Sequence, residues 1–293
     1  MKYTVRHTTT YRYSKPVSLG HNIVHLAPRS TNRQKCFRSE IEVKPVPALI
    51  REETDYFGNR ATYFAIEEPH DLLMVKALSS VEVAPTATPD PATTPAWESV
   101  CTILVDGRSP EGLEARQFVF DSPYVRASAE LAGYAAPSFP PGRPLLAAAL
   151  DLMRRIHADF RYDPRATTLT TPLPEVMSHK RGVCQDFAHL QIGCLRSLRL
   201  AARYVSGYLR TTPPPGRPRL IGADASHAWL SVWCPGCGWL DLDPTNSQAP
   251  SEGHILVAWG RDYDDVSPIK GVNLGGGRHS MTVEVDVASD DPE

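Results

Sequence analysis

Residues 180–187 read Lys180-Arg181-Gly182-Val183-Cys184-Gln185-Asp186-Phe187, and a helical pattern of apolar residues begins where this run ends. From Phe187 onward the apolar side chains fall at steps of three and four, at Leu190, Cys194, Leu195 and Leu198. Such steps place them on one face of a helix, so Cys184 is predicted at the helix N-terminus. Unpaired backbone N–H groups and the positive end of the helix dipole favour an anion there. Because the thiolate is the reactive form of cysteine, this position predicts an activated nucleophile.

Two strand-like segments further along the chain are predicted to form a hairpin. Residues 226–233 alternate so that His227 shares one strand face with indole side chains, while small and aliphatic side chains occupy the other. The turn residues 234–237, Cys-Pro-Gly-Cys, separate this strand from a second one over residues 238–243. The hairpin therefore places a histidine and, at the end of the second strand, acidic side chains close together.

These side chains suit the chemistry of a thiol enzyme. A histidine beside a thiol can take its proton, and a carboxylate on the far ring nitrogen fixes the tautomer and stabilises the imidazolium. Cys184 fits the role of nucleophile and His227 that of base. Alternation places Asp241 and Asp243 on the same strand face, so both carboxylates are candidates for the third role.

The sequence resembles the transglutaminase-like superfamily at three motifs: GVCQDFAH at 182–189, HAW at 227–229 and GWLDLDPTN at 238–246. The N-terminal part resembles the β-rich domain that precedes this core in bacterial members, through YRY at 11–13, HLAPR at 25–29, DYFGN at 55–59 and PH at 69–70. The resemblance implies a papain-like site with the cysteine on a helix and its partners on an antiparallel sheet. Carried over by motif, the nucleophile is Cys184, the base is His227 and the orienting carboxylate is Asp243.

An oxyanion formed during acyl transfer needs hydrogen-bond donors, and a nucleophile at a helix start supplies its own backbone N–H. The Tyr162 phenol and the Trp229 indole are candidates for a second donor, and ordinary aromatic packing is the alternative for both. Tyr162 is favoured, because the family carries an aromatic motif at a similar distance before the nucleophile. Asp186 is interpreted as a charge that stabilises the helix start, and His189 as a packing residue.

No metal and no cofactor are predicted. Cys234 and Cys237 have the spacing of half a zinc site, but a tetrahedral site needs four ligands and no second pair has suitable spacing. The acidic loop at residues 262–265 lacks the glycine and closing glutamate of a calcium loop. The cysteine pair is interpreted as part of the turn, and the acidic loop as solvated.

The predicted fold class is α+β, with a β-sandwich-like N-terminal domain before the papain-like core. Extended runs assign residues 1–84 to the β domain, and a Pro-rich linker with connecting helices covers 85–143. The catalytic core spans 144–270, beginning with a strongly patterned helix over 144–160. Residues 271–293 hold a strand and an acidic tail. The segment at 211–216, Thr-Thr-Pro-Pro-Pro-Gly, is either a loop at the rim of the cleft or a plain surface loop.

Composition narrows the class of protein. The chain has 293 residues, 42% of them hydrophobic, and a formal net charge of −2. A nucleic-acid binder needs a basic excess, so none is expected. No signal-peptide core and no run of membrane-spanning length occur, and the six scattered cysteines fit a reducing compartment. A cytoplasmic protein without membrane or nucleic-acid partners is expected.

The expected activity is attack of the Cys184 thiolate on an amide carbonyl to give a thioester, with His227 protonating the departing amine. Resolution by water makes the protein a peptidase or amidase that acts on a peptide, protein or amide substrate. Resolution by an amine makes it a transglutaminase, and hydrolysis is preferred because nothing in the sequence identifies an amine site. The alternative from another class is a non-catalytic binding scaffold.

Overall fold

The computed structural model describes residues 1–85, 88–211 and 225–290. The strands within these residues are β1 (Lys2–Val24), β2 (Gln34–Lys44), β3 (Leu49–Thr54), β4 (Arg60–Ile66), β5 (His70–Val83), β6 (Arg161–Tyr162), β7 (Arg181–Gly182), β8 (Ala202–Leu209), β9 (Ala225–Cys234), β10 (Gly238–Leu242), β11 (His254–Gly260), β12 (Ile269–Gly275) and β13 (His279–Ser289). The α-helices are α1 (Trp97–Asp106), α2 (Pro110–Arg116), α3 (Ala129–Ala135), α4 (Leu145–Asp159), α5 (Leu173–His179) and α6 (Cys184–Ser197).

The long strand β1 organises the β-rich part of the molecule. β4 and β5 follow one another along one edge of β1, and β12 and β13 follow one another along the other edge. β2 and β3 extend the sheet outside β5 and β4. The result is one curled antiparallel sheet of seven strands, in which Tyr3 near the start of the chain lies beside Ser289 near its end.

The second sheet is antiparallel, with the strand order β10-β9-β8-β11, and it carries the buried helix α6. α6 packs against β8 and β9, while α3, α4 and α5 pack around its other sides. A helix surrounded in this way is buried over most of its circumference, and its polar side chains need partners. Gln191, for example, donates to the Ala149 carbonyl at 2.9 Å. The predicted α+β class, with a helix-borne cysteine on an antiparallel sheet, is confirmed.

Two side-chain amides join the β-rich part to the outer edge of β11. Gln34 accepts the Leu256 N–H at 2.8 Å and donates to the Leu256 carbonyl at 2.7 Å. Asn59 likewise accepts the Trp259 N–H at 3.0 Å and donates to the Trp259 carbonyl at 2.8 Å. An edge strand otherwise leaves its backbone groups unpaired, so these amides take the place of a further strand. The two sheets are therefore fastened together along β11.

Several predicted elements are confirmed. The strongly patterned helix is α4, which is preceded by Pro144 as its N-cap residue, and the hairpin is β9–β10. Among the connecting helices predicted within 85–143, α2 ends at Arg116 and continues as a short 3-10 turn. The division into four segments stays a prediction, although the last strand pairs with β1 and not with the core sheet. The predicted loop at 211–216 lies, after Thr211, outside the described residues.

Among the described helices, none combines the length and the apolar composition needed to cross a bilayer.

Candidate active site

Cys184 is the first residue of α6, and Asp186 fixes the start of this helix. The Asp186 carboxylate accepts the Val183 backbone N–H at 2.8 Å and the Thr167 hydroxyl at 2.6 Å. A Cβ on Gly182 would lie 2.6 Å from the same carboxylate oxygen, so this position requires glycine. Asp186 therefore satisfies a backbone donor at the helix start, a hydrogen-bonding role beyond the stabilising charge that the sequence indicated.

His227 on β9 lies between the thiol and a carboxylate. Its Nε2 is 2.8 Å from Oδ2 of Asp243, and the Cys184 thiol lies close enough to the ring to help raise the pKa of His227. Because Nε2 faces the carboxylate, Nδ1 is the ring nitrogen left for the thiol. The structure thus brings together Cys184, His227 and Asp243, with the thiol partly exposed and the carboxylate fully buried.

The Asp243 carboxylate follows the last residue of β10 and is held by a tight turn. Its Oδ1 accepts the backbone N–H groups of Thr245 and Asn246, at 3.0 and 3.2 Å. Its Oδ2 also accepts the side-chain amide of Asn246 at 2.7 Å. A buried charge is tolerated only when hydrogen bonds replace its hydration, and these donors supply them.

His254, the first residue of β11, is a further member of this site that the sequence analysis did not identify. Its Nδ1 accepts the Ser251 backbone N–H at 3.2 Å, so the ring proton lies on Nε2. Nε2 then donates to Oδ2 of Asp243 at 3.1 Å. The run of apolar residues after His254 could have indicated a strand, but only the pairing of β11 with β8 brings this histidine to the carboxylate.

The pKa values of His227 and Asp243 are shifted in opposite directions from their usual values. Burial lowers the pKa of His227, but the hydrogen bonds and charges of Asp243 and Cys184 outweigh it and raise this pKa to about 9. Burial would raise the pKa of Asp243, but its hydrogen bonds to His227, His254 and Asn246 hold it well below the usual range. At neutral pH the arrangement therefore favours an imidazolium beside an ionised carboxylate.

Asp241, the other candidate for the orienting carboxylate, has its contacts with Ser231 and Arg33. It accepts the Ser231 hydroxyl at 2.5 Å and lies 4.0 Å from Arg33. Asp243 comes just after the end of β10, so the turn directs its side chain to His227. The structure therefore places Asp243 and not Asp241 at the imidazole.

The two candidate oxyanion donors differ in position. β6 and β7 pair Tyr162 with Gly182, two residues before the nucleophile, and the Tyr162 side chain is half exposed. Burial and the charge of Cys184 raise the pKa of Tyr162, which keeps the phenol protonated. Trp229 is fully buried, with its ring centroid 6.0 Å from that of His227. Tyr162 stays a prediction as the second donor.

His189 on α6 is a packed, neutral histidine. Its Nε2 accepts the Tyr263 backbone N–H at 3.1 Å, and its ring stacks on Tyr124. Burial, with a smaller contribution from the charge of Arg196, lowers the pKa of His189 to about 3. This ring therefore stays uncharged and contributes to the packing of α6 against its neighbours.

The ligand-type atoms of His227, Asp243 and His254 lie within 4.8 Å of one another, close enough to consider a metal. Both imidazoles direct Nε2 at the carboxylate, and in His254 that nitrogen carries the ring proton. A metal would need the lone pair that this proton occupies, so the cluster is explained by hydrogen bonding.

The other residues considered for metals have structural roles. Cys237 donates its backbone N–H to the Cys234 carbonyl at 3.1 Å, which closes the hairpin turn. In the acidic loop, Asp262 is buried and accepts the Tyr124 backbone N–H at 2.7 Å. The expectation of a solvated loop is therefore wrong for Asp262, because the backbone of a neighbouring segment needs this acceptor.

Comparison with known proteins matches two family models to the chain. Residues 3–82 match the bacterial transglutaminase-like N-terminal region, and residues 135–244 match the transglutaminase-like superfamily. The chain belongs to the transglutaminase-like superfamily. The second match contains all three of Cys184, His227 and Asp243, and membership of this superfamily supports a thiol enzyme.

Mycobacterial relatives match nearly the whole length of this transglutaminase-like protein, and a further relative matches part of it. Uncharacterized proteins of Mycobacterium tuberculosis and Mycobacterium bovis are each 42% identical over 298 residues, covering 98% of this chain and 92% of their own. A protein-glutamine gamma-glutamyltransferase of Pseudomonas aeruginosa is 30% identical over 128 residues, covering 37% of this chain and 19% of its own.

A solved structure shares the fold of this transglutaminase-like protein. It comes from Cytophaga hutchinsonii and is described provisionally as a cysteine protease. The TM-score is 0.78 at 23% identity, and the match covers 100% of this chain and 92% of the other. The arrangement of core and β-rich region therefore recurs in another protein.

Proposed function

We propose that the protein cleaves amide bonds through Cys184, His227 and Asp243, with a thioester intermediate. The observation that carries the proposal is the placement of a thiol at the start of α6, in one cleft with an imidazole whose Nε2 is 2.8 Å from a buried carboxylate. The helix start and the imidazolium both stabilise a thiolate. Asp243 in turn stabilises the imidazolium and orients its ring.

In the acylation step, the Cys184 sulfur forms a bond to the amide carbonyl carbon. The charge that develops on the carbonyl oxygen is stabilised by the Cys184 backbone N–H, with the Tyr162 phenol as the proposed second donor. The C–N bond then breaks, and the imidazolium of His227 gives its Nδ1 proton to the departing amine. The products of this step are a thioester on Cys184, a free amine and a neutral imidazole.

In the deacylation step, water attacks the thioester while the neutral His227 takes one of its protons. The C–S bond breaks, the carboxylic acid product leaves, and the thiolate–imidazolium pair is restored. Hydrolysis is proposed because water is always available at a partly exposed thiol. Amine transfer is the second candidate, supported by the partial match to a protein-glutamine gamma-glutamyltransferase.

The two outcomes are distinguished by the products formed from a peptide substrate library. Mass spectrometry would follow peptide cleavage and ammonia release, with and without added methylamine, in the wild type and in Cys184→Ser. The proposal predicts products in which water has replaced the amine, formed without methylamine and lost in Cys184→Ser. Products that form only when methylamine is present would make amine transfer the activity.

A further inference from the structure

The inward face of β1 and β13 lies over the candidate active site. In the register of these strands Val5 lies opposite Val287, His7 opposite Val285, Thr9 opposite Val283 and Tyr11 opposite Met281. Directly opposed residues of an antiparallel pair lie on the same face of a sheet. This series of side chains therefore forms a single strip, named here the β13 strip, consisting of Met281, Val283, Val285 and Val287 with their β1 partners.

Exposure changes steeply along the β13 strip. Val287 and Val285 are 0% and 2% exposed, whereas Val283 and Met281 on the same face are 46% and 50% exposed. Apolar side chains on an inward face become accessible only where the opposing core is missing. A cleft of about 610 Å³ occupies this space, and it is lined by Cys184, His227 and the part of the strip that runs from Met281 to Val285.

The facing wall of the cleft is also mainly apolar and aromatic, with Tyr204, Tyr263 and Leu169 among its residues. The charged side chains on the lining outside the candidate triad are Lys270 and Asp264, which pair with each other at 2.7 Å. His7 contributes no charge at neutral pH, because burial lowers its pKa to about 4. Within the described residues, the lining thus offers no unpaired charge to a ligand.

We propose that this cleft is the subsite for the acyl donor, and that it takes a large uncharged apolar side chain beside the scissile carbonyl. This inference rests on the proposed thiol chemistry and adds the substrate class to it. A cleft of this volume accommodates such a side chain and its backbone. A charged side chain would lose its hydration against the β13 strip without gaining a partner. The β-rich region therefore contributes one wall of the substrate site.

Affinity labels that differ in one side chain test the subsite. The chloromethyl ketones of Nα-acetyl-phenylalanine, Nα-acetyl-aspartate and Nα-acetyl-lysine would alkylate Cys184, forming the S–C bond as chloride leaves. Each inactivation rate is divided by the rate of the same reagent with glutathione, which corrects for intrinsic reactivity. The wild type is expected to react at least tenfold faster with the phenylalanine reagent than with the charged ones.

Two lysine substitutions of valine provide a matched pair. Val283→Lys places a charge in the cleft and is expected to slow the phenylalanine reagent at least tenfold and to accelerate the aspartate reagent. Val272→Lys, at a 71% exposed position of β12 outside the cleft lining, should leave both rates within twofold. Met281→Lys is the second cleft variant if Val283→Lys fails to fold by circular dichroism. Equal rates for the three reagents, or equal effects of the two lysines, would overturn the subsite.

Iodoacetamide separates this inference from the proposed chemistry, because the reagent is too small to need the subsite. If iodoacetamide labels Cys184 no faster than Cys36, the thiol chemistry fails. The cleft is then tested by NMR titration of Cys184→Ala with N-acetyl-phenylalanine amide and N-acetyl-aspartate amide. Tighter binding of the phenylalanine amide, lost with Val283→Lys, supports the subsite independently, and equal binding of the two amides overturns it.

Discussion

Asp243 is the residue on which the candidate site converges. Its Oδ2 accepts hydrogen bonds from His227 and His254, which come from different strands of the core sheet. It also accepts from the turn that follows β10. A buried carboxylate with these donors is held in one position, and so is the imidazole that it orients.

The first prediction at this scale compares Asp243 with Asp241, which lies two positions before it in the sequence. Asp243→Asn should lower kcat/KM for an amide substrate by roughly 10²- to 10⁴-fold, because the neutral amide no longer stabilises the imidazolium or selects its tautomer. It should also lower the pKa of His227 from about 9, as NMR of the ring would show. Asp241→Asn is the matched control and should change kcat/KM by less than about threefold. Equal losses in both variants would contradict the assignment.

His254 is predicted to act by positioning Asp243. His254→Phe keeps an aromatic ring beside Trp229, from which His254 lies 5.4 Å between ring centroids, but removes the Nε2 donor. We expect the alkylation rate of Cys184 at neutral pH to fall on the order of tenfold, as for other partners that orient a catalytic ligand. His254→Gln retains an N–H donor and should recover part of the rate. A purely structural role would lower the thermal stability of both variants and leave the rate unchanged.

The pKa of His227 gives a pH prediction with a definite sign. This pKa is raised from 6.5 to about 9 in the folded protein, so folding favours the protonated ring. The resulting stabilisation is fully present below pH 6.5 and is lost as the pH rises through about 9. The difference in unfolding free energy between the wild type and His227→Gln, from urea titrations at several pH values, should therefore shrink over this range. A difference that grows with pH would contradict the raised pKa.

At the scale of the elements, the sequence predicts what local periodicity encodes. The spacing after Phe187 predicts α6, and the Pro-Gly turn predicts the hairpin β9–β10. The choice between Asp241 and Asp243 was not accessible to periodicity, because both alternate onto one face until β10 ends at Leu242. The family motif, and not the strand pattern, indicated Asp243 in the sequence.

β11 shows why the remaining part of the site could not be predicted. His254 lies beside Leu209 in the sheet, and no local signal fixes the pairing of strands that are separated by β9 and β10. The amides that close the outer edge of β11 come from still further away, at Gln34 and Asn59. Side-chain contacts across such distances depend on the complete tertiary structure and not on local propensity.

The edge amides yield the prediction at this scale. Asn59→Ala leaves the partly buried N–H and carbonyl of Trp259 without their side-chain partner and should lower the unfolding free energy by about 2–4 kcal/mol. Asn32→Ala, at an exposed position in the same region, should change it by less than about 0.5 kcal/mol. Urea denaturation of both variants measures the difference. A loss of equal size in the two variants would show that the β11 edge does not depend on Asn59.

At the scale of the whole molecule, the β-rich region and the core form one cleft. β13 pairs with β1 over most of its length, although the two strands lie at opposite ends of the chain. The sequence showed that residues near the C-terminus form a strand, but not that this strand completes the N-terminal sheet and faces the thiol. The cleft therefore depends on the pairing of β13 with β1 as much as on the position of α6.

The central claim is that Cys184 is a nucleophile activated by His227, and site-resolved alkylation tests it most directly. Iodoacetamide labelling of each cysteine would be followed by mass spectrometry as a function of pH, in the wild type and in His227→Ala. The account predicts that Cys184 labels at neutral pH at least tenfold faster than the other cysteines, and that His227→Ala slows this labelling at least tenfold. Cys36 and Cys101 should label slowly, because burial raises the pKa of each thiol. The labelling rate of each should be the same in the wild type and in His227→Ala. Labelling of Cys184 no faster than that of Cys36 and Cys101 would contradict the enzyme and favour a binding scaffold.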